Sequence, residues 1–511
     1  MSASLTINGQ TVEAAPGPSL FDYAEGLGVR IPTSCNKQGK CRECLVEVTE
    51  GYDGLSPRTE REQHLRGAFR LSCQTHVMSG AVQCHTLRRG RMQIDRGASR
   101  AATVMERLSG ERYGLAADIG TTTVVLRLHD LSTGELVADA AFENPQRFGG
   151  SEIMSRIQYD TEHPGRLLFR TLAGYMAHAI EEFPVDPRTI REVVIVGNST
   201  MRDLFFRQNV WSIGQSPYRS ITEIEVEQGK RTGTALETTG VRTLLPIDPR
   251  ARVYGAPIIS GHVGADAAAC MLAVDLAHEE RLVAIMDIGT NTELILGNRH
   301  RILAASCPAG PAFEGGAISC GMPALDGAIE DVTIADDGSF QVGVIGGGAP
   351  EGLCGSGLVD LMAELLRTGR MNPLGRFEDS GRIDVAPGVY FTESDVNELA
   401  QAKGANVAGL RVVAAEYGVS FDDIDVFYLA GGFGRHLKID GAQRIGLIPS
   451  LDPARIVQAG NAAIEGASIA LRCPEKRREL EELVRRVEHC RLETHPQFFD
   501  FFVDGCQFNP L

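Results

Sequence analysis

Polar and apolar positions along the start of the chain alternate in short runs. Leu5-Thr6-Ile7 and Thr11-Val12 flank Asn8-Gly9, a pair strongly favoured in two-residue hairpin turns. Ser19 before Leu20-Phe21-Asp22-Tyr23-Ala24 predicts a short helix capped by the serine hydroxyl. Cys44-Leu45-Val46-Glu47-Val48 alternates again and predicts a strand, as does Ala81-Val82-Gln83-Cys84. The pattern changes at Tyr113. From there, apolar runs of strand length end repeatedly in acid, glycine and hydroxyl residues, with helical stretches such as Leu358 to Leu366 between them. That alternation predicts an α/β chain. Residues 1–92 read as one compact domain, 93–113 as a linker, and 114–511 as a second domain in two halves, roughly 114–280 and 281–511.

Length and charge narrow the function classes. On the usual 100–200 residues per domain, 511 residues hold about three domains. A formal net charge of −16 argues against a nucleic-acid partner. No run of 18 apolar residues predicts a membrane span, and the N-terminus lacks the basic-then-apolar pattern of a secretory signal. The expected location is cytoplasmic, with the 12 cysteines reduced. Arg88 to Arg112 carries seven arginines against three acids, which reads as a solvated tether or as a basic surface for an acidic redox partner.

Four of the cysteines form a pattern. Cys35, Cys41 and Cys44 stand as C-x5-C-x2-C in one tight loop, and Cys73 follows after 28 residues. Three thiolates plus one suit an iron–sulfur cluster, whose plant-type [2Fe–2S] spacing is C-x4-C-x2-C…C. Zinc is the competing reading, but structural zinc sites usually pair two C-x2-C units. Gly39 lets the loop wrap closely, so backbone N–H groups can point at sulfur. The whole segment resembles [2Fe–2S] ferredoxins, and its longer first gap resembles the branch that serves oxygenases. Cys84 lies outside the pattern and reads as a buried structural thiol.

A second constellation lies in the α/β part. Asp118-Ile119-Gly120-Thr121-Thr122-Thr123 sits between two apolar segments that read as a hairpin. Such a turn offers backbone N–H groups and hydroxyls to phosphate, and its aspartate can hold hydrated Mg²⁺. It returns about 170 residues later as Asp287-Ile288-Gly289-Thr290-Asn291-Thr292-Glu293. Two copies point to a duplicated domain with a nucleotide between the halves. Val426 to Ala430 then runs into Gly431-Gly432-Phe433-Gly434, where backbone can approach a nucleotide closely. Gly352-Leu353-Cys354-Gly355-Ser356-Gly357 is either a phosphate-binding helix start or a packing turn. Gly460 to Ala467 has small residues at helical spacing, and Cys307, Cys320 and Cys354 read as core or turn thiols.

In this order the turns resemble the phosphate and adenosine motifs of the acetate and sugar kinase, Hsc70 and actin superfamily. Joined to the cysteine domain, and with V-G-N-S-T-M, C-P-A-G-P-A-F-E-G-G, G-L-C-G-S-G and L-A-G-G-F-G, the chain resembles the reductive activators of corrinoid proteins. The implied fold is an N-terminal β-grasp [2Fe–2S] ferredoxin domain followed by a duplicated ribonuclease H-like ATPase domain. The implied activity is ATP-dependent transfer of one electron to the Co(II) corrinoid of a methyltransferase system, restoring Co(I). By family pattern, Cys35, Cys41, Cys44 and Cys73 hold the cluster, and Asp118 and Asp287 bracket Mg²⁺ and the attacking water. Gly120, Thr121, Thr122, Thr123, Gly289, Thr290 and Asn291 take the phosphates of ATP, and Gly431, Gly432 and Phe433 the adenosine side. Glu293 is assigned to orienting the water. The implied partners are a corrinoid protein and an upstream reductase or ferredoxin, with a homodimer left open. Longer members of the family carry an extra middle domain, expected to be missing here because Asp118 follows the ferredoxin by only about 25 residues. An activator of 2-hydroxyacyl-CoA dehydratases, a redox-regulated kinase and a nucleotide-binding redox sensor are the alternatives.

Overall fold

The computed structural model describes residues 3–87, 112–378, 381–432 and 437–511. The basic stretch between the two parts of the chain therefore lies outside the described residues, save Arg112, as does Phe433.

The N-terminal part is a five-stranded sheet. Strands β1 (Ala3–Ile7) and β2 (Gln10–Ala14) form the expected hairpin, with Ile7 opposite Gln10 and both Asn8 and Gly9 at positive φ. Ser19 caps the helix Leu20–Gly26 in a reciprocal capping box with Asp22. With β3 (Leu45–Glu50), β4 (Phe69–Leu71) and β5 (Ala81–Thr86), the strand order is β2-β1-β5-β3-β4, and β1 and β5 run parallel. This is the expected β-grasp arrangement. Cys84 is buried in β5, and burial pushes its thiol up to about 12, as a structural cysteine requires.

The rest of the chain is built twice. In the first half, β6 (Tyr113–Ile119), β7 (Thr123–Asp130) and β8 (Leu136–Glu143) form an antiparallel meander. Strand β9 (Ile190–Gly197) lies parallel to β6, and β10 (Leu236–Thr239) and β11 (Arg252–Gly255) complete the sheet beyond it. In the second half, β12 (Val283–Ile288), β13 (Thr292–Gly297) and β14 (Ile302–Cys307) repeat the meander. Two small sheets follow, one of β15 (Ala328–Ile334), β16 (Phe340–Val344) and β17 (Gly352–Leu353), the other of β18 (Arg382–Ala386) and β19 (Val389–Thr392). Then β20 (Val426–Ala430) pairs parallel with β12, flanked by β21 (Ile456–Gly460), while β22 (Val487–His489) closes the far edge.

The repeat extends to single atoms. Gly197 ends β9 at φ +137, where a Cβ would lie 2.4 Å from the Ile119 carbonyl oxygen; Gly431 follows β20 at φ +107, where a Cβ would lie 2.3 Å from the Ile288 carbonyl oxygen. Only glycine fits either place. Each therefore lets a parallel strand end against the mouth of a D-I-G-T turn.

Three large hydrophobic clusters and one small one, around Ala328, Ile345 and Cys354, hold the described residues. One runs unbroken from the β-grasp core (Leu5, Phe21, Val46, Leu71) into the first half (Phe148, Tyr159, Leu168). A second fills the space between the two large sheets, through Val194, Ala269, Ile285, Tyr428 and Ile464. The third is the core of the second half. In the middle cluster, helices Ala265–Ala273 and Ala462–Arg472 approach so closely that a Cβ on Gly466 would lie 1.9 Å from the Ala269 carbonyl oxygen. The small-residue pattern around Gly466 thus serves helix packing. Cys307, Cys320 and Cys354 are separate, bonding the Ala405 carbonyl, the Tyr390 N–H and the Ile329 carbonyl respectively. A Gly466→Val substitution must push these helices apart and should cost about 1–3 kcal/mol, the usual range for overpacking. A lowered denaturant midpoint of the nucleotide domain measures it.

Candidate active site

The two D-I-G-T turns face each other across one cleft. Asp118, Gly120, Thr121, Thr122, Thr123, Asp287, Gly289, Thr290, Asn291, Glu293, Gly431 and Gly432 all line it. In the first turn the Gly120 N–H donates to the Thr123 carbonyl, closing the β6–β7 hairpin. The halves touch at the turns themselves. The hydroxyls of Thr122 and Thr290 are 2.9 Å apart, and both donate to the Glu314 carboxylate. Glu314 thus takes the hydroxyls that an anionic phosphate oxygen would take. Asn198, after β9, donates to the Thr121 hydroxyl at 2.9 Å. Asn461, after β21, donates to Asp118 at 3.1 Å.

The charge of this cleft is only partly compensated, by Arg127 acting on Asp118 and by Arg156 and Arg147 acting on Glu314. Asp118, Asp266, Asp287, Glu293 and Glu314 line it, and no Lys, Arg or His is among the described lining residues. Burial raises Asp118 to about 7, with Asp287 adding to the rise against the Asn461 bond. Burial likewise raises Asp287 to about 6 against a bond from Cys270, and Asp266 to about 8 with help from Asp118. Glu293 lies well above the ordinary carboxylate range through burial and the charges of Asp266 and Asp287. The three aspartates keep part of their surface open to the cleft. Hard oxygen donors that repel one another, with no protein cation among the described lining residues, fit a hydrated divalent ion such as Mg²⁺. Phosphates can then be held by the ion, the turn N–H groups and the threonine hydroxyls.

The four-cysteine loop has the opposite character. Cys44 and Cys73 sulfurs are 3.3 Å apart. Burial opposes a thiolate at Cys35, but N–H groups of Cys41, Lys40 and Gln38 point at its sulfur and hold its pKa below the ordinary value. The Cys44 thiol, the Gln74 amide and the Gly39 N–H bring Cys73 down to about 6 against burial. Burial raises Cys41, countered by the N–H groups of Ser34 and Glu43. Sulfurs ringed by backbone donors are the donor set that a thiolate-held cluster needs. The residues fit the group.

Glu43, between Cys41 and Cys44, joins this loop to the first half of the nucleotide domain. It accepts from Ser34 at 2.7 Å and lies 3.2 Å from the His178 ring. A second junction leads to the cleft. Asn144 donates its backbone N–H to the Thr122 carbonyl at 2.6 Å and its side chain to the Gly120 carbonyl at 2.8 Å. It then caps the short helix Pro145–Gly149. Within that helix Arg147 bridges Glu143 and Glu47 of β3, and Phe148 meets the His64 ring edge-on at 5.9 Å. The Phe148 carbonyl accepts from Arg66, which also pairs with Glu162 at 2.6 Å. Six residues thus connect the first D-I-G-T turn to the cysteine domain.

Comparison with known proteins follows this geometry. A 2Fe-2S iron-sulfur cluster binding domain matches residues 5–78, the RACo middle region residues 113–279, and the C-terminal ASKHA domain of RACo residues 281–510. The corrinoid activation enzyme RamQ of Eubacterium limosum is 32% identical over 98% of each chain. The chain belongs to the RACo family of reductive activators. A [Co(II) methylated amine-specific corrinoid protein] reductase of Methanosarcina barkeri is 25% identical over 76% of each chain. A solved reductive activator for corrinoid, iron-sulfur protein covers 99% of this chain and 98% of its own, with 25% identity and a TM-score of 0.72. The match to a 2Fe-2S domain supports iron–sulfur over zinc.

The family match also sets the organisation. What the family calls its middle region is present and is the half that carries Asp118, so the expectation that a middle domain is missing needs correction. The error came from reading the region as an insertion ahead of the nucleotide domain. The alignment with RamQ nevertheless runs over 591 positions against 511 residues here, so that relative carries segments this chain lacks.

Several cleft residues escaped the sequence reading. Glu314 lay inside a quoted motif without a role, and Asn198 and Asn461 stood in quoted turns. Asp266 begins an alanine-rich helix after Gly261 and Gly264, and an acid in that setting was the available signal. Gly355 borders the cleft, while a Cβ on Gly357 would lie 2.2 Å from the Ile329 carbonyl oxygen, so the G-L-C-G-S-G turn both faces the cleft and packs. No helix among the described residues is long and apolar enough to cross a membrane.

The raised aspartates give a pH signature. A carboxyl whose folded pKa is raised stabilises below its unfolded pKa, and that stability is lost as pH climbs through the folded value. For Asp118 the window runs from 3.8 to about 7. In Mg²⁺-free buffer, Asp118→Asn should therefore gain thermal stability relative to the parent as pH rises from about 5 to 8. Equal midpoints across that range would contradict the assignment.

Proposed function

We propose that this chain is an ATP-dependent reductive activator that returns the Co(II) corrinoid of a methyltransferase partner to Co(I). The reading rests on the sequence-wide family match. The observation that carries its mechanism is one continuous hydrophobic core joining the four-cysteine domain to the half bearing the first phosphate turn. Cys35, Cys41, Cys44 and Cys73 would hold the [2Fe–2S] cluster, which when bound would supply one electron at a time. A low-potential donor, a reductase or ferredoxin in the cell, restores that electron. At cobalt one electron is gained and no bond to the protein is made.

The chain's own residues gate the transfer. Asp118 and Asp287 hold hydrated Mg²⁺ with ATP, and Glu293 orients the water that displaces ADP from the γ-phosphate. Gly120, Thr121, Thr122 and Thr123 with Gly289, Thr290 and Asn291 hold the phosphates, and Gly431 and Gly432 face the adenosine; the adenosine role of Phe433 belongs to the same proposal. The incoming phosphate takes the threonine hydroxyls from Glu314. Arg156 and Arg147, which lie near enough to favour the Glu314 charge, then lose that partner. Arg147 also holds β3, and Asn144 sits on the turn, so cleft occupancy reaches the cysteine domain through residues 144–149. ATP can shift the conformation only by the difference in its affinity for the two states. A cytoplasmic location completes the proposal, supported by 12 free cysteines; the homodimer stays open.

The test is spectroscopic. With Ti(III) citrate as donor, ATP and a Co(II) corrinoid protein from the same cell, the visible spectrum should turn to that of Co(I) only when ATP is present. No ATP-dependent Co(I) with any corrinoid protein of that cell would sink the reading. Cys41→Ser should keep nucleotide binding and lose Co(I) formation, and Asp287→Ala should keep the cluster's EPR signal and lose the ATP dependence. Asn144→Ala should hydrolyse ATP yet form Co(I) at least tenfold more slowly, about 1.4 kcal/mol of lost coupling.

A further inference from the structure

A band of arginines lies beside the cysteine loop. Arg42, between Cys41 and Cys44, is followed by Glu43, whose side chain packs on Gly174 and lies 3.2 Å from the His178 ring of the helix Leu167–Glu181, and Arg170 stands one turn before Gly174 on that helix. Arg170 is one helical turn from Arg166, its N–H bonded to the Arg166 carbonyl, and Arg166 donates to the Arg207 carbonyl at 2.6 Å. Arg207 in turn feels the charges of Arg166 and Arg242. None of these five, nor Arg61, whose charge reaches Arg42, makes a carboxylate ion pair within 4.0 Å among the described residues, whereas most structured arginines elsewhere are paired; Asp160, which feels the Arg166 charge, is the one acid among the described residues lining the depression beside it. In a chain of net charge −16, so much unpaired positive charge in one place costs self-repulsion that the isolated protein gains nothing from.

The band has an anchor suited to a protein partner. Arg166, Arg207, Phe169 and Trp211 line one depression, where Trp211 is 47% exposed and the Arg207 guanidinium lies 5.4 Å over the Phe169 ring. Exposed tryptophan and arginine around a concave site are the residue types that dominate binding energy at protein interfaces.

We propose that this face docks an acidic surface of the corrinoid protein. The inference rests on the proposed function and adds where the partner sits. An upstream donor needs only the open side of the cysteine loop, at Asn36, Gln38 and Lys40. A partner whose reduction depends on nucleotide must also touch an element tied to the cleft, and the arginine band does both. Arg42 belongs to the cysteine loop. Arg207 follows the helix Ser199–Phe205, whose cap Asn198 holds Thr121 of the first phosphate turn. A docked partner therefore reports on the cleft and receives the electron at one interface. A membrane or nucleic acid would use the charge but has no use for the adjacent redox centre.

The test compares the holoprotein with the triple variant Arg61→Glu, Arg170→Glu, Arg207→Glu, none of which lines the cleft or belongs to the four-cysteine set. Binding of the Co(II) corrinoid protein is measured directly by fluorescence anisotropy of the labelled partner, at low and high salt. The variant should bind at least tenfold more weakly at low salt, and the difference should shrink as salt screens the charges. ATP hydrolysis without partner and the EPR spectrum of the reduced cluster should stay unchanged. Equal affinity of variant and parent at low salt overturns the proposal. If the parent forms no Co(I), the proposed function fails by itself, and the face is judged by small ions. Ferricyanide should then oxidise the reduced variant several-fold more slowly than the parent, and cationic hexaamminecobalt(III) more quickly. Unchanged rates with both ions overturn the face.

Discussion

The structure depends on an imbalance of charge in its central cleft. Five carboxylates converge from both halves with no cation among the described lining residues; Arg127 favours the Asp118 charge and Arg156 and Arg147 that of Glu314, yet burial still holds Asp118, Asp266 and Glu293 above the ordinary carboxylate range. On the proposed function, the Mg²⁺ that accompanies the nucleotide brings positive charge to these carboxylates. Because Asp118 and Asp287 come from different halves, an ion held by both would tie those halves together. The hydrophobic cluster between the two large sheets does not need it, since it packs small residues at distances that leave no slack. The cleft is thus a switchable contact on a rigid hinge region.

What that switch moves is set by where the cysteine domain is attached. It does not hang from a tether in the described residues; it shares a core with the first half and is pinned by Glu43, Arg66 and the Asn144–Gly149 segment. The surface pairs contribute little energy individually. The core contact and the short helix position the domain, and the polar pairs set its register. An electron carrier held this way can feel a change at Thr122 that a freely tethered one would average out.

Much of this was legible in the sequence because the relevant residues obey local rules. Asn8-Gly9, Ser19 and Gly431 each have a backbone or capping need that few other residues meet, and the two D-I-G-T turns repeat closely enough to announce the duplication. The C-x5-C-x2-C loop identified its own chemistry. Glu314 was not legible, since its partner Thr122 is 192 positions away and it carries no local signature; Asp266 and Asn144 carried only local helix-start signals, which say nothing of the cleft. The junction between the domains was missed for the same reason: Glu43 and His178 are 135 positions apart. The middle region was misjudged because a family label had been attached to an insertion rather than to the half that bears Asp118.

Filling the cleft should be felt at the cysteine loop through residues 144–149. Hydrogen–deuterium exchange of the holoprotein with and without Mg²⁺–ATP tests it most directly. The account predicts altered amide protection at both phosphate turns, along Asn144 to Gly149, and in the loop around Glu43. Protection that changes at the two turns while residues 144–149 and the Glu43 loop exchange as before would contradict it.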